Sequence, residues 1–386
     1  MVKANSAEIG LARAQQIYEH RSQRARQLKK EGKKIIGYFC AYPPVEMLTA
    51  ADLVPYRMLG DPRKAIARAD AYVESITCSF VRSCFDVALH GGYDFLDGLV
   101  SCRACDNIWK MSSIWQYNFK LPFSHYIVLP HTTSEASMKF LRKELGMFQS
   151  HLEEFTGKKI AEPRLVEAVE LHNKNRALMR QVYEMRKVDP PLLSAVDMNK
   201  ILVAALSIPV AESNQLLQEV IQDLQNQNGG PVQKPARLMV VAPEIDDSPL
   251  FELIENSGAN VVIDDVCIGT RIYWHDVETN GDPLYNLTTR YLGKVMCPRT
   301  CSSRIESRED DLDNRFGHIL AFARDYDVNG VILYVLRYCD NYGFDAPDMR
   351  DYFEMAGLPV LHIEDEYLIS TSKLQTRIEA FIEMIS

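Results

Sequence analysis

Two stretches of the chain alternate short apolar runs with helical patterns, and a long helical stretch separates them. In the first, "KKIIGYFCAYP" is an apolar run ended by Pro43 and Pro44 that reads as a buried strand, and "PVEMLTAADLV" then opens a helix. "YDFLDGLVSC" passes from helix to strand and delivers the chain to Cys102, and "FSHYIVLP" is a further short strand ended by Pro130. From about residue 134 to 228 the pattern is helical. "MKFLRKELGMFQSHLEEFTG" and "RLVEAVELHNKNRALMRQVYEMRK" carry apolar residues three and four apart. "NQNGGPVQKPA", rich in Gly, Pro, Asn and Gln, is the clearest linker.

Beyond it, "ARLMVVAPEID", "ANVVIDDVCIG", "VNGVILYVLRYCD" and "GLPVLHIEDEY" alternate with the helical "SPLFELIENSG", "NRFGHILAFARDY" and "DMRDYFEMA". Strands alternating with helices predict an α/β protein with parallel sheets built of βαβ units. The expected division is a helical segment over 1–34, an α/β domain over 35–133, helical connections over 134–228 and a second α/β domain over 236–386. No internal tandem repeat is read from the pattern.

Composition narrows the function classes. A chain of 386 residues suits two α/β domains with helical additions. The net charge of −9 is the wrong sign for a nucleic-acid binder. No window reaches the roughly 18 consecutive apolar residues of a membrane span, so no membrane partner is expected. The N-terminal "MVKANSAEIGLARAQQIYEHRSQRARQLKKEGKK" lacks the apolar core of a secretory signal and reads as a charged amphipathic helix with a solvated face. A cytoplasmic location follows as an expectation. In that reducing compartment nine cysteines favour metal or redox chemistry over stable disulfides.

Several motifs are missing. There is no G-x-G-x-x-G after a strand, no G-x-x-x-x-G-K-[ST], no G-x-S-x-G and no H-E-x-x-H. If the work needs ATP, another chain is expected to hydrolyse it.

Four cysteines, Cys78, Cys84, Cys102 and Cys105, fall within residues 72–111. "CRAC" at 102–105 is a C-x-x-C that suits a redox motif at a strand-to-helix turn, but a zinc ribbon needs a second C-x-x-C, and "CPRTC" at 297–301 has the wrong spacing. Cys40 and Cys267 read as small buried hydrophobes inside strands. An iron–sulfur cluster suits another arrangement. Ligands of open α/β sheets bind beyond the carboxyl ends of the strands. Cys102 and Cys105 follow one apolar run and Cys339 another, one in each lobe. Cys78 precedes the helix-like "SFVRSCFDVAL", whose N–H groups and dipole are expected to lower its thiol pKa. Three thiolates in place of four leave one iron corner for water or substrate, which suits catalysis better than electron transfer.

"CSFVRS" (78–83), "DFLDGLVSCRACDNIWKM" (94–111) and "RYCDNYGFD" (337–345), in that order, resemble the D-component subunits of the 2-hydroxyacyl-CoA dehydratase family, which includes benzoyl-CoA reductase subunits. "GYFCAYPPVEMLTAADLVPYRM", "PVLHIEDEY" and "QTRIEAFIEMI" extend the resemblance from about residue 35 to the C-terminus. In length the chain is most similar to the smaller, C or gamma, subunit of class I ATP-dependent benzoyl-CoA reductases. The resemblance implies two Rossmann-like domains with a [4Fe-4S] cluster in the cleft, a double-cubane form being the higher-nuclearity alternative. It implies Cys78, Cys105 and Cys339 as ligands, with Cys102 as the alternative to Cys105. It also implies a homologous cluster-binding partner subunit, ATP-hydrolysing iron–sulfur activator subunits, ferredoxin as electron donor and an aromatic acyl-CoA substrate. The activity implied is ATP-dependent reduction of benzoyl-CoA to a cyclic dienoyl-CoA. The alternatives are radical dehydration of a 2-hydroxyacyl-CoA and a non-catalytic electron relay.

Other residues have two readings each. Glu46 in "PPVEML" is a candidate proton-handling group, weighed against simple helix N-terminal electrostatics. His125 and His362 read as structural. Arg82 and Arg337 flank cluster positions, where charge compensation competes with surface ion pairing. Cys84, Cys297 and Cys301 carry no implied role.

Overall fold

The computed structural model describes residues 9–227, 229–302, 305–367 and 371–386. The first eight residues of the expected N-terminal segment, Asn228 of the linker and Ser303 after "CPRTC" lie outside them. The chain opens with α1 (Gly10–Glu19) and α2 (Gln23–Lys30). The first lobe follows as β1 (Ile35–Tyr38), α3 (Val45–Ala50), β2 (Val54–Arg57), α4 (Ser79–Leu89), β3 (Gly98–Cys102), α5 (Asp106–Asn118) and β4 (Phe123–Ile127). Four long helices come next: α6 (Glu135–Thr156), α7 (Glu162–Glu184), α8 (Ala195–Leu206) and α9 (Val210–Asn226). The second lobe holds β5 (Ala236–Val241), α10 (Pro249–Asn256), β6 (Ala259–Asp265), α11 (Thr270–Tyr273), α12 (Pro283–Thr288), α13 (Arg308–Asp325), β7 (Gly330–Leu336), α14 (Asp340–Met355), β8 (Val360–Asp365) and α15 (Thr371–Ile385).

Both sheets are parallel and four-stranded, ordered β2-β1-β3-β4 and β6-β5-β7-β8. Counted within its own lobe, each runs 2-1-3-4, so one topology occurs twice in a chain whose apolar pattern shows no repeat. Every residue of β1, β3, β5, β6 and β7 is buried, as strands covered on both faces require. The strand order reverses between β1 and β3 and again between β5 and β7, and ligands of such sheets bind outside the strand ends at these points.

Three elements depart from the pattern reading. β2 contains Pro55, which argues against a strand in the sequence, but β2 is an edge strand where a missing N–H is tolerated. α14 starts at Asp340, well before "DMRDYFEMA", and continues through Pro347. The N-terminal segment is two helices, and its face is not simply solvated. Ala14 and Tyr18 of α1 are buried, Leu11 N donates to Asp223 of α9 at 3.0 Å, and Arg13 pairs with Glu219 at 3.1 Å. Among the described residues no helix is long and apolar enough to cross a membrane.

Candidate functional site

The two lobes meet at the ends of their strands. Arg57, the last residue of β2, donates from Nη2 to Glu244 Oε2, three residues past β5, at 2.8 Å. Gly60 N donates to Asp246 Oδ2 at 3.0 Å, and Tyr367 N, after β8, donates to Ser79 Oγ at the start of α4 at 3.0 Å.

Within this junction Cys78, Cys105 and Cys339 share one structural position: each is the N-cap residue, of α4, α5 and α14 respectively. A helix leaves its first N–H groups without intrahelical partners and carries a partial positive charge there. Cys105 has an extended backbone, and its sulfur accepts from Ile108 N at 3.5 Å, as a capping oxygen would. Cys339 and Cys105 lie close enough to Cys78 for their charges to interact. The residue before Cys339, Tyr338, has φ 64°, a left-handed conformation that costs a non-glycine residue energy and is held by its surroundings.

Two asparagines hold these N-caps together. Asn107 Oδ1 accepts from Cys78 N at 3.1 Å, while its Nδ2 donates to Tyr338 O at 3.1 Å. Asn341 Nδ2 donates to Ala104 O at 3.2 Å. Each asparagine, two residues after one cysteine, thus grips the carbonyl just before the other. The segments are "RACDN" (103–107) and "RYCDN" (337–341), each leaving the third strand of its lobe. That shared R-x-C-D-N is the sequence trace of the duplicated topology, and it was open to reading before the fold was known. Asn107→Ala removes hydrogen bonds to two motifs and leaves Cys78 N unpaired. It is expected to lower unfolding free energy by about 2–4 kcal/mol, as measured by urea denaturation.

The expected lowering of the Cys78 thiol pKa is not found. Burial pushes it up to about 11, outweighing the N–H groups of Val81 and Phe80. Burial likewise raises Cys105 and Cys339, and neighbouring thiols add to the effect. The uncharged thiols are thus inert until a cation displaces their protons, which suits metal ligation better than nucleophilic chemistry.

Cys102 faces elsewhere. It ends β3 in register with Ile127 of β4, fully buried in the same core cluster as Tyr38 and Val100. Its nearest sulfur partner is Cys40, whose thiol that hydrogen bond, against burial and with help from Arg57, brings down to about 6. Cys40 and Cys267 are not inside strands; each lies two residues past a strand end. Cys40 adopts φ 67°, and Cys267 Sγ accepts from Arg271 Nη1 at 3.2 Å. Cys297 faces Arg271 and Cys40. Cys84 is buried in α4. Cys301 bridges to Thr132, and Arg299 donates to Pro130 O at 2.7 Å, docking "CPRTC" on the loop after β4.

Glu46 is fully buried away from the three N-caps. Its Oε1 accepts from Arg176 Nη1 of α7 at 2.8 Å, and its Oε2 accepts from Tyr291 OH at 2.7 Å. Tyr291 lies in a π-helical turn (Thr289–Lys294) directly after α12. Burial alone would raise the Glu46 carboxyl, but Arg176, then His172 and Arg290, hold it down at about 2. A carboxylate so firmly ionised is a poor proton donor. His125 is buried in β4 against His151, with Nδ1 atoms 2.9 Å apart, and His362 lies in β8. Arg82 pairs with Asp70, and Arg337 with Glu366 at 3.1 Å. Both arginines are therefore engaged in ion pairs. Arg57 and Glu244 carry no motif of their own, while Asn107 and Asn341 sit inside the cysteine motifs without a signal that marks them as partners.

Among the described residues no three His, Cys, Asp or Glu side chains converge closely enough to hold a single metal ion. The three N-cap thiols therefore do not form a mononuclear site of the zinc kind. A cluster of several iron and sulfide atoms spans more room than one ion and is held by thiolates, so a disulfide-free trio at three helix N-termini, Cys78 buried and Cys105 and Cys339 half-buried, fits it in donor chemistry.

Residues 40–385 match the family described as 2-hydroxyglutaryl-CoA dehydratase, D-component. The chain is 26% identical to the C subunit of benzoyl-CoA reductase from Thauera aromatica, over 96% of this chain and 95% of that one. It is 24% identical to the (R)-phenyllactyl-CoA dehydratase beta subunit of Clostridium sporogenes, over 93% of each. It is 24% identical to the beta subunit of (R)-2-hydroxyglutaryl-CoA dehydratase from Acidaminococcus fermentans, over 92% of this chain and 94% of that one. With nearly its whole length matched and its three cysteine motifs meeting between two parallel-sheet lobes, the chain belongs to the 2-hydroxyglutaryl-CoA dehydratase D-component family.

Proposed function

We propose that this chain is the iron–sulfur-carrying subunit of an ATP-dependent benzoyl-CoA reductase. In this reading a homologous partner subunit shares the work, and ATP-hydrolysing iron–sulfur activator subunits deliver electrons drawn from ferredoxin. The observation that carries the proposal is the meeting of Cys78, Cys105 and Cys339, from both lobes, at three helix N-termini. Similarity along 96% of the chain to the C subunit of a benzoyl-CoA reductase supports the choice of reaction.

Cys78, Cys105 and Cys339 would hold a [4Fe-4S] cluster, which when bound supplies single electrons at low potential. The remaining chemistry belongs to the chain. Backbone N–H groups at the starts of α4 and α5 and the positive dipole ends of α4, α5 and α14 offset part of the burial that raises the free thiols and would stabilise the thiolates once a cation displaces their protons. Asn107 and Asn341 hold the ligand loops of opposite lobes in register. Burial of Cys78 limits water on that side of the site, which favours the low potential that ring reduction demands.

Three of the relatives are dehydratase beta subunits, which supports a second reading as part of a 2-hydroxyacyl-CoA dehydratase. The test is to purify the complete complex anaerobically, measure iron and sulfide, and assay it with reductant and ATP on benzoyl-CoA and on a 2-hydroxyacyl-CoA. Cluster-level iron with dienoyl-CoA formation is the expected result. Turnover of the hydroxyacyl-CoA alone favours the dehydratase. Iron with turnover of neither leaves an electron relay. A fully active, iron-free complex sinks all three.

A further inference from the structure

Glu244 and Arg57 form an ion pair that no cysteine motif announces. Arg57 is fully buried at the C-terminal end of β2, and Glu244 is buried just past β5, so the pair spans the lobes. Neither partner is saturated. Glu244 Oε1, Arg57 Nε and Arg57 Nη1 are buried without a hydrogen-bond partner. A charged pair in that state is costly unless a further group or a proton completes it.

The surroundings oppose a charge on Glu244. Asp246, from its own loop, and Cys40, beyond β1, repel it, while the neutral groups of Cys78 (just before α4), Cys84, Cys267 and Tyr38 lie within reach of its field. Arg57 is the cation set against them. Asp246 is itself engaged by Gly60 N, Tyr367 OH and, at 3.9 Å, Arg21. Glu244 makes no hydrogen bond to the three N-cap thiols among the described residues. It faces Cys78 through the electrostatic field alone.

We propose that Glu244 is the proton-accepting group of this interlobe site, binding one proton from solvent for each electron the site takes up, with Arg57 as the residue that positions it. The proposal rests on the cluster reading above. When a one-electron donor of the reduced iron–sulfur protein class adds one negative charge beside Cys78, the Glu244 carboxylate takes up one H⁺ and becomes a carboxylic acid. Net charge is then unchanged, and reoxidation returns the proton to solvent. Burial, ahead of the opposing pull of Arg57, already holds this carboxyl at about 7, so one further negative charge suffices to protonate it near neutrality.

The test is an anaerobic redox titration of the iron-loaded complex followed by electron paramagnetic resonance, from about pH 6 to about pH 9, a span chosen to bracket the carboxyl. The midpoint potential is expected to fall by about 59 mV for each tenfold drop in proton concentration above neutrality, the value for one proton per electron. Glu244→Gln is expected to flatten that slope, and Glu244→Asp to restore it. Arg57→Gln is expected to move its onset to higher pH. A wild-type potential independent of pH overturns the proposal, as does an unchanged slope in Glu244→Gln. If the Gln variant fails to fold, the wild-type slope decides, together with an infrared difference spectrum that must show a carboxylic acid C=O band appearing on reduction. Absence of iron or of a paramagnetic signal sinks the cluster reading itself, and this proposal with it. A normal signal with a flat potential sinks only this proposal.

Discussion

Replacing Cys105 with alanine is expected to strip the complex of its cluster iron and to cut turnover by at least about 100-fold, whereas replacing Cys102 is expected to spare both. Even residues that merely support a metal ligand typically change affinity or activity 10–100-fold, so loss of a ligand itself should exceed that range. The two cysteines are three residues apart in one C-x-x-C, and in sequence either suits the part. The strand separates them. Cys102 ends β3 and is buried in the core in register with Ile127 of β4, with Cys40 as its sulfur neighbour. Cys105 has turned out of the strand to cap α5, within electrostatic reach of Cys78 and Cys339. Cys102→Ala loses a small buried group and is expected to cost on the order of 1 kcal/mol of stability. Iron and sulfide analysis of both variants, with denaturant unfolding as a control for folding, checks the pair. Iron retained in Cys105→Ala but lost in Cys102→Ala would reverse the assignment.

That contrast shows what the sequence makes legible. A buried parallel strand writes itself as an unbroken apolar run, so β1, β3, β5, β6 and β7 and the α/β class could be read directly. β2 could not, because Pro55 denies a strand unless one already knows it lies at an edge. Cys78, Cys105 and Cys339 were legible through the motifs around them. The groups that complete the junction were not. Arg57 and Glu244 belong to different lobes, 187 positions apart, and an isolated arginine or glutamate does not disclose its partner. Asn107 and Asn341 were hidden in plain view within R-x-C-D-N, since four shared residues repeated once across more than two hundred positions do not register as a tandem repeat. The thiol pKa was misjudged for a physical reason. The helix N-terminus was visible in the pattern, but the burial that outweighs it is a property of the folded interior.

Arg176→Met is expected to be the most destabilising of the substitutions considered, costing about 3–5 kcal/mol, because it strands a fully buried carboxylate. Glu46 of α3 belongs to the first lobe, Arg176 to the connecting helices and Tyr291 to the second lobe, so the bond network ties three parts of the chain together. The double variant Arg176→Met with Glu46→Leu removes both charges and is expected to recover much of the loss, since a well-packed apolar pair often matches a buried ion pair. The same network sets an acid limit. The Glu46 carboxyl titrates at about 2 when folded against an ordinary value of 4.5, so its stabilising contribution is complete above about pH 4.5 and is lost as pH falls toward 2. At about 1.4 kcal/mol per pH unit, that is on the order of 3 kcal/mol. His172, buried beside it and held down at about 4, adds loss in the same direction as pH drops from 6.5, because the unfolded chain takes up that proton first. Urea denaturation of wild type and Arg176→Met at stepped pH separates these contributions. The wild type should weaken progressively on acidification, while the variant should start weaker and respond less below pH 4.5. If instead Arg176→Met unfolds at the wild-type midpoint, Glu46 is not held ionised by that bond, and its claim to handle a proton reopens.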